Sequence, residues 1–77
     1  MKTVELIVRD GCGSCVRVER DIRGVVARAG WDFKVIDTAD DPEIAGEFGD
    51  RVPVVLVDGE EFACWECDPD ELAHALL

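Results

Sequence analysis

Residues 3–15 read TVELIVRDGCGSC, an apolar run followed by a charged turn and two cysteines spaced C-x-x-C. The β-branched run Thr3–Val8 is typical of a largely buried strand, and Arg9-Asp10-Gly11 is typical of the turn that ends it. From the second cysteine onward, apolar residues recur every three or four positions until Gly30, as expected for one side of an amphipathic helix. That stripe consists of Cys15, Val18, Ile22, Val25 and Ala29. This stretch therefore predicts a strand, a turn and a helix, with the two cysteines at the junction.

The middle of the chain continues the alternation of strands and helices. Trp31–Asp37 alternates apolar and polar residues and predicts a second strand, while Pro42–Gly49 predicts a short second helix. Val52–Val57 predicts a third strand. The turn Asp58-Gly59 then favours a hairpin into a fourth strand, Glu60–Cys64, antiparallel to the third.

The last segment has the sequence signature of a helix start. Asp68 is a suitable N-cap, Pro69 suits the first helical position, and Glu71 completes a capping box. The predicted order is β-α-β-α-β-β-α in one domain, residues 1–77. We therefore expect an α/β fold with a four-stranded mixed sheet flanked by three helices.

Length and charge limit the possible functions. Seventy-seven residues suffice for one small domain. Eight Lys and Arg against 18 Asp and Glu give a formal net charge of −10, which repels nucleic-acid phosphates and anionic lipids. The apolar runs are too short to span a membrane, and residues 1–5 do not resemble a signal peptide. We expect a cytoplasmic monomer without a nucleic-acid or membrane partner. The acidic run from Asp37 to Asp50 is interpreted as a solvated surface, or alternatively as a docking surface for a basic partner.

The motif Cys12-Gly13-Ser14-Cys15 carries the predicted chemistry. Free N–H groups at a helix start favour thiolate over thiol, so we predict that Cys12 is the nucleophile. Cys15, one turn later, is placed to resolve a mixed disulfide on Cys12. Arg9 and Arg17 are near enough in sequence to add to the stabilisation of the thiolate, and Gly13 and Ser14 are candidates for substrate contact. A pair of metal ligands or of buried small residues is the alternative.

These features resemble the glutaredoxin-like branch of the thioredoxin superfamily over essentially the whole chain. The resemblance rests on the strand before the C-x-x-C motif, on the tripeptide Arg51-Val52-Pro53 and on the Asp58-Gly59 hairpin. It implies a thioredoxin-like fold with a cis peptide bond before Pro53, a tripeptide that binds substrate, and thiol-disulfide oxidoreductase activity. The substrate would be a disulfide-bearing protein or small molecule, and a reductase or thiol would donate electrons. An ordinary trans proline at a strand start is the alternative for Pro53.

The resemblance also bears on glutathione. Arg9 stands where glutaredoxins usually carry a basic residue that contacts a glutathione carboxylate. The family's paired glycines after the fourth strand correspond to Ala63-Cys64 or Cys64-Trp65, where side chains replace them. This departure weighs against glutathione, so no cofactor beyond the redox-active disulfide is expected. It makes the chain similar to small redoxins that a flavoprotein reductase reduces. We expect Cys64 and Trp65 to line the substrate groove, with a partly buried core position as the alternative for Trp65.

A second C-x-x-C motif, Cys64-Trp65-Glu66-Cys67, lies between the fourth strand and the cap of the last helix. Because neither sulfur lies inside the helix start, weaker activation is expected there. Three interpretations remain open: an auxiliary redox pair that relays electrons to Cys12, two free thiols, or metal ligation. The alternative function is accordingly a metal-binding or redox-switched binding module that uses both motifs, although the gap between them is longer than in compact zinc sites.

Overall fold

The computed structural model describes residues 2–77, which form four strands and three α-helices in the predicted order. The elements are β1 (Thr3–Val8), α1 (Gly13–Ala29), β2 (Asp32–Asp37), α2 (Pro42–Phe48), β3 (Val54–Val57), β4 (Glu60–Cys64) and α3 (Pro69–Ala75). One 3-10 turn, Thr38–Asp40, precedes α2 and was not predicted. No helix within residues 2–77 is long and apolar enough to cross a membrane.

The four strands form one mixed sheet in the order β2-β1-β3-β4. β1 and β2 are parallel because α1 connects them as a crossover, whereas β1–β3 and β3–β4 are antiparallel. The β3–β4 connection is the predicted Asp58-Gly59 turn, and both of its residues have positive φ angles, 50° and 84°. This is the thioredoxin-like α/β architecture that the sequence predicted.

The core is divided between the two sides of the sheet. On the first face, α1 packs with α3 against β1 and β3; the buried residues there include Val4, Leu6, Val18, Ile22, Val55, Leu72 and Leu76. Of the predicted stripe, Val18, Ile22 and Val25 lie on this face, whereas Cys15 belongs to the second face and Ala29 is exposed. On the second face, α2 covers a cluster formed by Ile7, Cys15, Phe48, Val52, Val54 and Leu56. Strand alternation explains this division, since neighbouring residues of a strand point to opposite faces.

The third strand begins two residues later than predicted, at Val54 rather than Val52. Pro53 has no N–H to donate to a strand ladder. Its carbonyl oxygen instead accepts the N–H of Trp65 at 2.8 Å, beyond the end of β4. The segment before β3 is thereby tied to the loop that follows β4.

The second strand begins at Asp32 rather than Trp31. The N–H of Trp31 is used in the cap of α1, where it donates to the carbonyl of Val26 at 3.2 Å. Gly30, with φ of 78°, provides the left-handed residue that this helix ending requires.

The predicted cap of the last helix is confirmed. The Asp68 carboxylate accepts the N–H groups of Asp70 at 2.8 Å and of Glu71 at 3.4 Å. Two otherwise unpaired amides at the start of α3 are therefore satisfied by the protein itself.

Candidate redox site

Cys12 and Cys15 are joined by a disulfide at the N-terminus of α1, with their Cα atoms 5.3 Å apart. Cys12 is the N-cap, and its Sγ accepts the backbone N–H of Cys15 at 3.1 Å. Cys15 is only 3% exposed, whereas Cys12 is partly exposed. Of these two cysteines, Cys12 is therefore accessible to a partner molecule and Cys15 is not. This is the difference expected between an attacking and a resolving cysteine.

The segment before β3 packs against the same core as the disulfide. The peptide bond between Val52 and Pro53 is cis, as predicted. Both residues are buried, and Val52 belongs to the same second-face cluster as Cys15. Cys12 also packs against that cluster, so the two segments share one piece of core.

A cleft of about 310 Å³ opens beside the disulfide, with Cys12, Cys15 and Gly13 in its lining. Arg9 lines it too, so this predicted site residue does lie next to the cysteines. Ser14 is exposed on the first turn of α1. The cleft also contains side chains that were not among the predicted site residues, namely Asp10, Val16, Glu19 and Asp37.

For two of these four residues, helical spacing in the sequence could have predicted a position near Cys12. Val16 and Glu19 follow Cys12 by four and seven positions and therefore share its side of α1. Val16 is 70% exposed. Asp37 comes from the carboxyl end of β2, and only the parallel pairing of β1 with β2 brings it to the cleft.

Arg51, a predicted substrate-binding residue, is held by other parts of the protein. Its Nη1 contacts both carboxylate oxygens of Glu61, and its Nη2 donates to the carbonyl of Glu47 at 3.2 Å. The guanidinium also lies over the ring of Phe48, 5.4 Å from its centroid. The hydrogen bond with Glu61 is the main reason that the pKa of Arg51 is raised. Arg51 therefore connects α2 to β4.

Trp65 is 60% exposed, so the alternative of a core position is wrong. Its φ of 68° lies in the left-handed region, which is uncommon for a bulky residue. The N–H of Trp65 donates to Pro53, and the N–H of Glu66 donates to the carbonyl of Cys64 at 2.8 Å. These bonds form a tight turn beside the segment before β3, with the indole directed outward. Glu66 also pairs with Arg17 at 3.9 Å, so Arg17 is engaged away from the disulfide.

The second cysteine pair is divided between the two faces of the sheet. Cys64 packs against the second-face cluster, and Cys67 packs against the first-face cluster. Both are free thiols. Burial, followed by the nearby carboxylates of Asp68 and Glu71, raises the pKa of Cys67 to about 11. An auxiliary redox role for this pair stays a prediction that their packing does not favour.

The cysteines give no geometric basis for a shared metal site either. Within residues 2–77, no group of three or more His, Cys, Asp or Glu side chains converges closely enough to hold a metal ion. The positions of the described cysteines therefore do not favour a module that binds metal through both C-x-x-C motifs.

A C-x-x-C disulfide at a helix start, beside a cis-proline and within this sheet order, defines a thioredoxin-like protein. Solved structures agree on the fold. Protein Ne2328 from Nitrosomonas europaea superimposes with a TM-score of 0.79 at 21% identity, covering 97% of this chain and 91% of that one. Thioredoxin 1 from Thermosipho africanus gives a TM-score of 0.70 at 20% identity, covering 96% and 89%.

The chain belongs to the Glutaredoxin-like domain (DUF836) family, which it matches over residues 3–77. The uncharacterized protein Rv0508 of Mycobacterium tuberculosis is 42% identical over 74 residues, which cover 90% of this chain and 76% of that protein. The glutaredoxin-like resemblance expected from the sequence is thus confirmed.

Proposed function

We propose that the protein is a small thiol-disulfide oxidoreductase that reduces disulfides through Cys12 and Cys15. The observation that carries this proposal is the position of Cys12 as N-cap of α1, with its Sγ within hydrogen-bonding distance of the Cys15 N–H. In the reduced protein, that N–H and the helix dipole favour the thiolate of Cys12. The unequal exposure of the two cysteines supports the same division of roles.

The reaction begins when the Cys12 thiolate attacks one sulfur of the substrate disulfide. A mixed disulfide forms, the substrate S–S bond breaks, and the other substrate sulfur leaves as a thiolate that takes up a proton. Cys15 then loses its proton and attacks the Sγ of Cys12. This step forms the Cys12–Cys15 disulfide and releases the second substrate thiol. Two electrons have then passed to the substrate, and a cytoplasmic reductase or thiol must return them to the pair.

The buried position of Cys15 explains the order of these steps. A sulfur that is 3% exposed reaches Cys12 more easily than it reaches a second protein. Beside the disulfide, Pro53 and the backbone of Val52 would hold the substrate chain in an extended conformation. The main-chain hydrogen bonds would come from Val52, because Pro53 has no N–H and its carbonyl already accepts the N–H of Trp65.

Single-turnover reduction of a peptide disulfide by the reduced protein tests this proposal. We expect Cys12→Ser to abolish reduction and Cys15→Ser to accumulate a mixed disulfide visible by mass spectrometry. Cys67→Ser, a matched change on the first face, should retain reduction. Full activity of Cys12→Ser would overturn the proposal, and loss of activity in Cys67→Ser would instead favour the auxiliary redox role.

A further inference from the structure

We propose that this site selects disulfides in polypeptides whose cysteine is flanked by Lys or Arg, and that it discriminates against glutathione. The inference rests on the proposed function and adds the class of substrate. Two independent observations carry it. The cleft beside the disulfide has an acidic lining, and two other donors that could bind an anion, Arg51 and the start of α3, are already held by the protein's own carboxylates.

The cleft at the disulfide presents three carboxylates, from Asp10, Glu19 and Asp37, against the single guanidinium of Arg9. Glu19 is paired with Arg23, which offsets its charge, so the excess negative charge of the lining comes from Asp10 and Asp37 against Arg9. Asp37 accepts the N–H of Ala39 at 2.8 Å, a bond that leaves its negative charge in place. The whole chain carries a formal charge of −10. A cation next to the substrate cysteine is therefore attracted to this cleft, and an anion is repelled.

Two strong donors for a carboxylate outside the cleft lining are already engaged within the protein. The guanidinium of Arg51 is held by the carboxylate of Glu61. The amides at the start of α3 are held by the carboxylate of Asp68. A glutathione carboxylate that bound at Arg51 or at the start of α3 would have to displace an internal carboxylate, which costs a charge-assisted hydrogen bond.

The backbone N–H groups that follow β4 are also engaged in hydrogen bonds within the protein. The N–H groups of Trp65 and Glu66 both donate to carbonyl oxygens of the protein, each at 2.8 Å. The indole of Trp65 stands out from this turn and is 60% exposed. Glutathione carries a net negative charge and needs donors for its carboxylates, whereas an internal cysteine of a polypeptide carries no such groups. The exposed apolar side chains of Val16 and Trp65 are suited to contact a polypeptide chain.

The proposal is tested with symmetrical disulfides of three short peptides that differ only in the residues flanking cysteine, which are Lys, Gln or Glu, and with oxidised glutathione. Rates are measured with reduced protein in single turnover. At an ionic strength of about 0.01 M, we expect the Lys peptide to react about tenfold faster than the Glu peptide. Glutathione disulfide should react as slowly as the Glu peptide. The preference for the Lys peptide should nearly vanish at an ionic strength of about 1 M, where the electrostatic screening length falls to about 3 Å.

Variants of the protein then test whether the preference for the Lys peptide arises from the carboxylates of the cleft. The double variant Asp10→Asn with Asp37→Asn should lose most of the preference, and Asn at position 37 keeps an acceptor for the Ala39 N–H. Asp32→Asn is the matched control, because Asp32 lies at the opposite end of β2 from Asp37. An equal loss of preference in Asp32→Asn would overturn the assignment to the cleft.

The outcomes separate this inference from the proposed function. Equal rates for the three peptides at every salt concentration, or fastest reaction with glutathione disulfide, would overturn the proposed selectivity and leave the oxidoreductase intact. Failure to reduce any of the four disulfides would overturn the oxidoreductase itself.

Discussion

The thiol of Cys67 should be chemically protected in the folded protein, and this can be measured directly. Cys67 packs against the first-face cluster, and burial is the largest cause of its raised pKa. The carboxylates of Asp68 and Glu71 raise this pKa further, because their negative charges disfavour the thiolate of Cys67. Because the thiolate is the reactive form of cysteine, we expect slow alkylation of Cys67 in the native state.

The size of the effect follows from the pKa. The value rises from the ordinary 9.0 to about 11. Each pKa unit changes the population of thiolate tenfold when the solution pH lies below both values. At pH near 8, native Cys67 should therefore react with iodoacetamide about a hundredfold more slowly than the same residue in the unfolded chain.

The assay is timed labelling with iodoacetamide and peptide mapping, with the Cys12–Cys15 disulfide kept oxidised. Native protein is compared with protein in denaturant, so that Cys67 serves as its own reference. Since burial is the main cause, Glu71→Gln should raise the native rate only severalfold. Labelling of native Cys67 within about threefold of the unfolded rate would refute the argument that burial protects this thiol.

The same pKa predicts how stability changes with alkaline pH. The folded-state pKa of Cys67 lies above its unfolded value, so the neutral thiol is favoured by folding. The resulting stabilisation is complete below pH 9 and is lost as pH rises toward 11. The denaturant midpoint of the wild type should therefore fall more steeply over this range than that of Cys67→Ala. Parallel curves would contradict the assignment.

Three further predictions concern the scaffold. Leu72 is fully buried, so Leu72→Ala should lower the free energy of unfolding by about 2–5 kcal/mol. Leu77 is 99% exposed, so Leu77→Ala should change that free energy little. Equal losses in the two variants would contradict the packing described for Leu72. Asp68→Ala should cost about 1 kcal/mol by removing the cap of α3, and Asp68→Asn should recover most of that in the same denaturant titration. The pKa of Asp58 is lowered chiefly by the hydrogen bond from the Thr3 N–H, so the stabilisation from the Asp58 carboxylate is present above pH 3.8 and lost on further acidification. Asp58→Asn should therefore flatten the fall of stability with decreasing pH in this acidic range. An unchanged slope would count against this prediction.

The parts of the fold that the sequence predicted depend on local signals. The Asp58-Gly59 turn, the Gly30 helix ending and the Asp68 cap each require particular residues at particular positions, and each is found where it was predicted. The strand and helix periods placed every α-helix and strand within two residues. The position of Cys12 at the start of α1 followed from the same local pattern.

The parts that were not predicted depend on partners distant in sequence. Asp37 reaches the cleft through the pairing of β2 with β1, which periodicity alone does not reveal. Arg51 was predicted to bind substrate, and its contact with Glu61 on β4, ten residues further along, was not predicted. Nothing in the local sequence shows which of several carboxylates such a guanidinium will choose.

The two C-x-x-C motifs illustrate why spacing alone does not define a redox pair. On a helix, residues three apart lie on the same side, so Cys15 comes back toward Cys12. The segment from Cys64 to Cys67 instead leaves the end of β4 through the turn at Trp65 and does not enter α3, so no helical turn brings its two sulfurs together. Its two thiols accordingly pack against opposite faces of the sheet. The same four-residue spacing therefore gives a dithiol where a helix begins and two separate thiols where a strand ends.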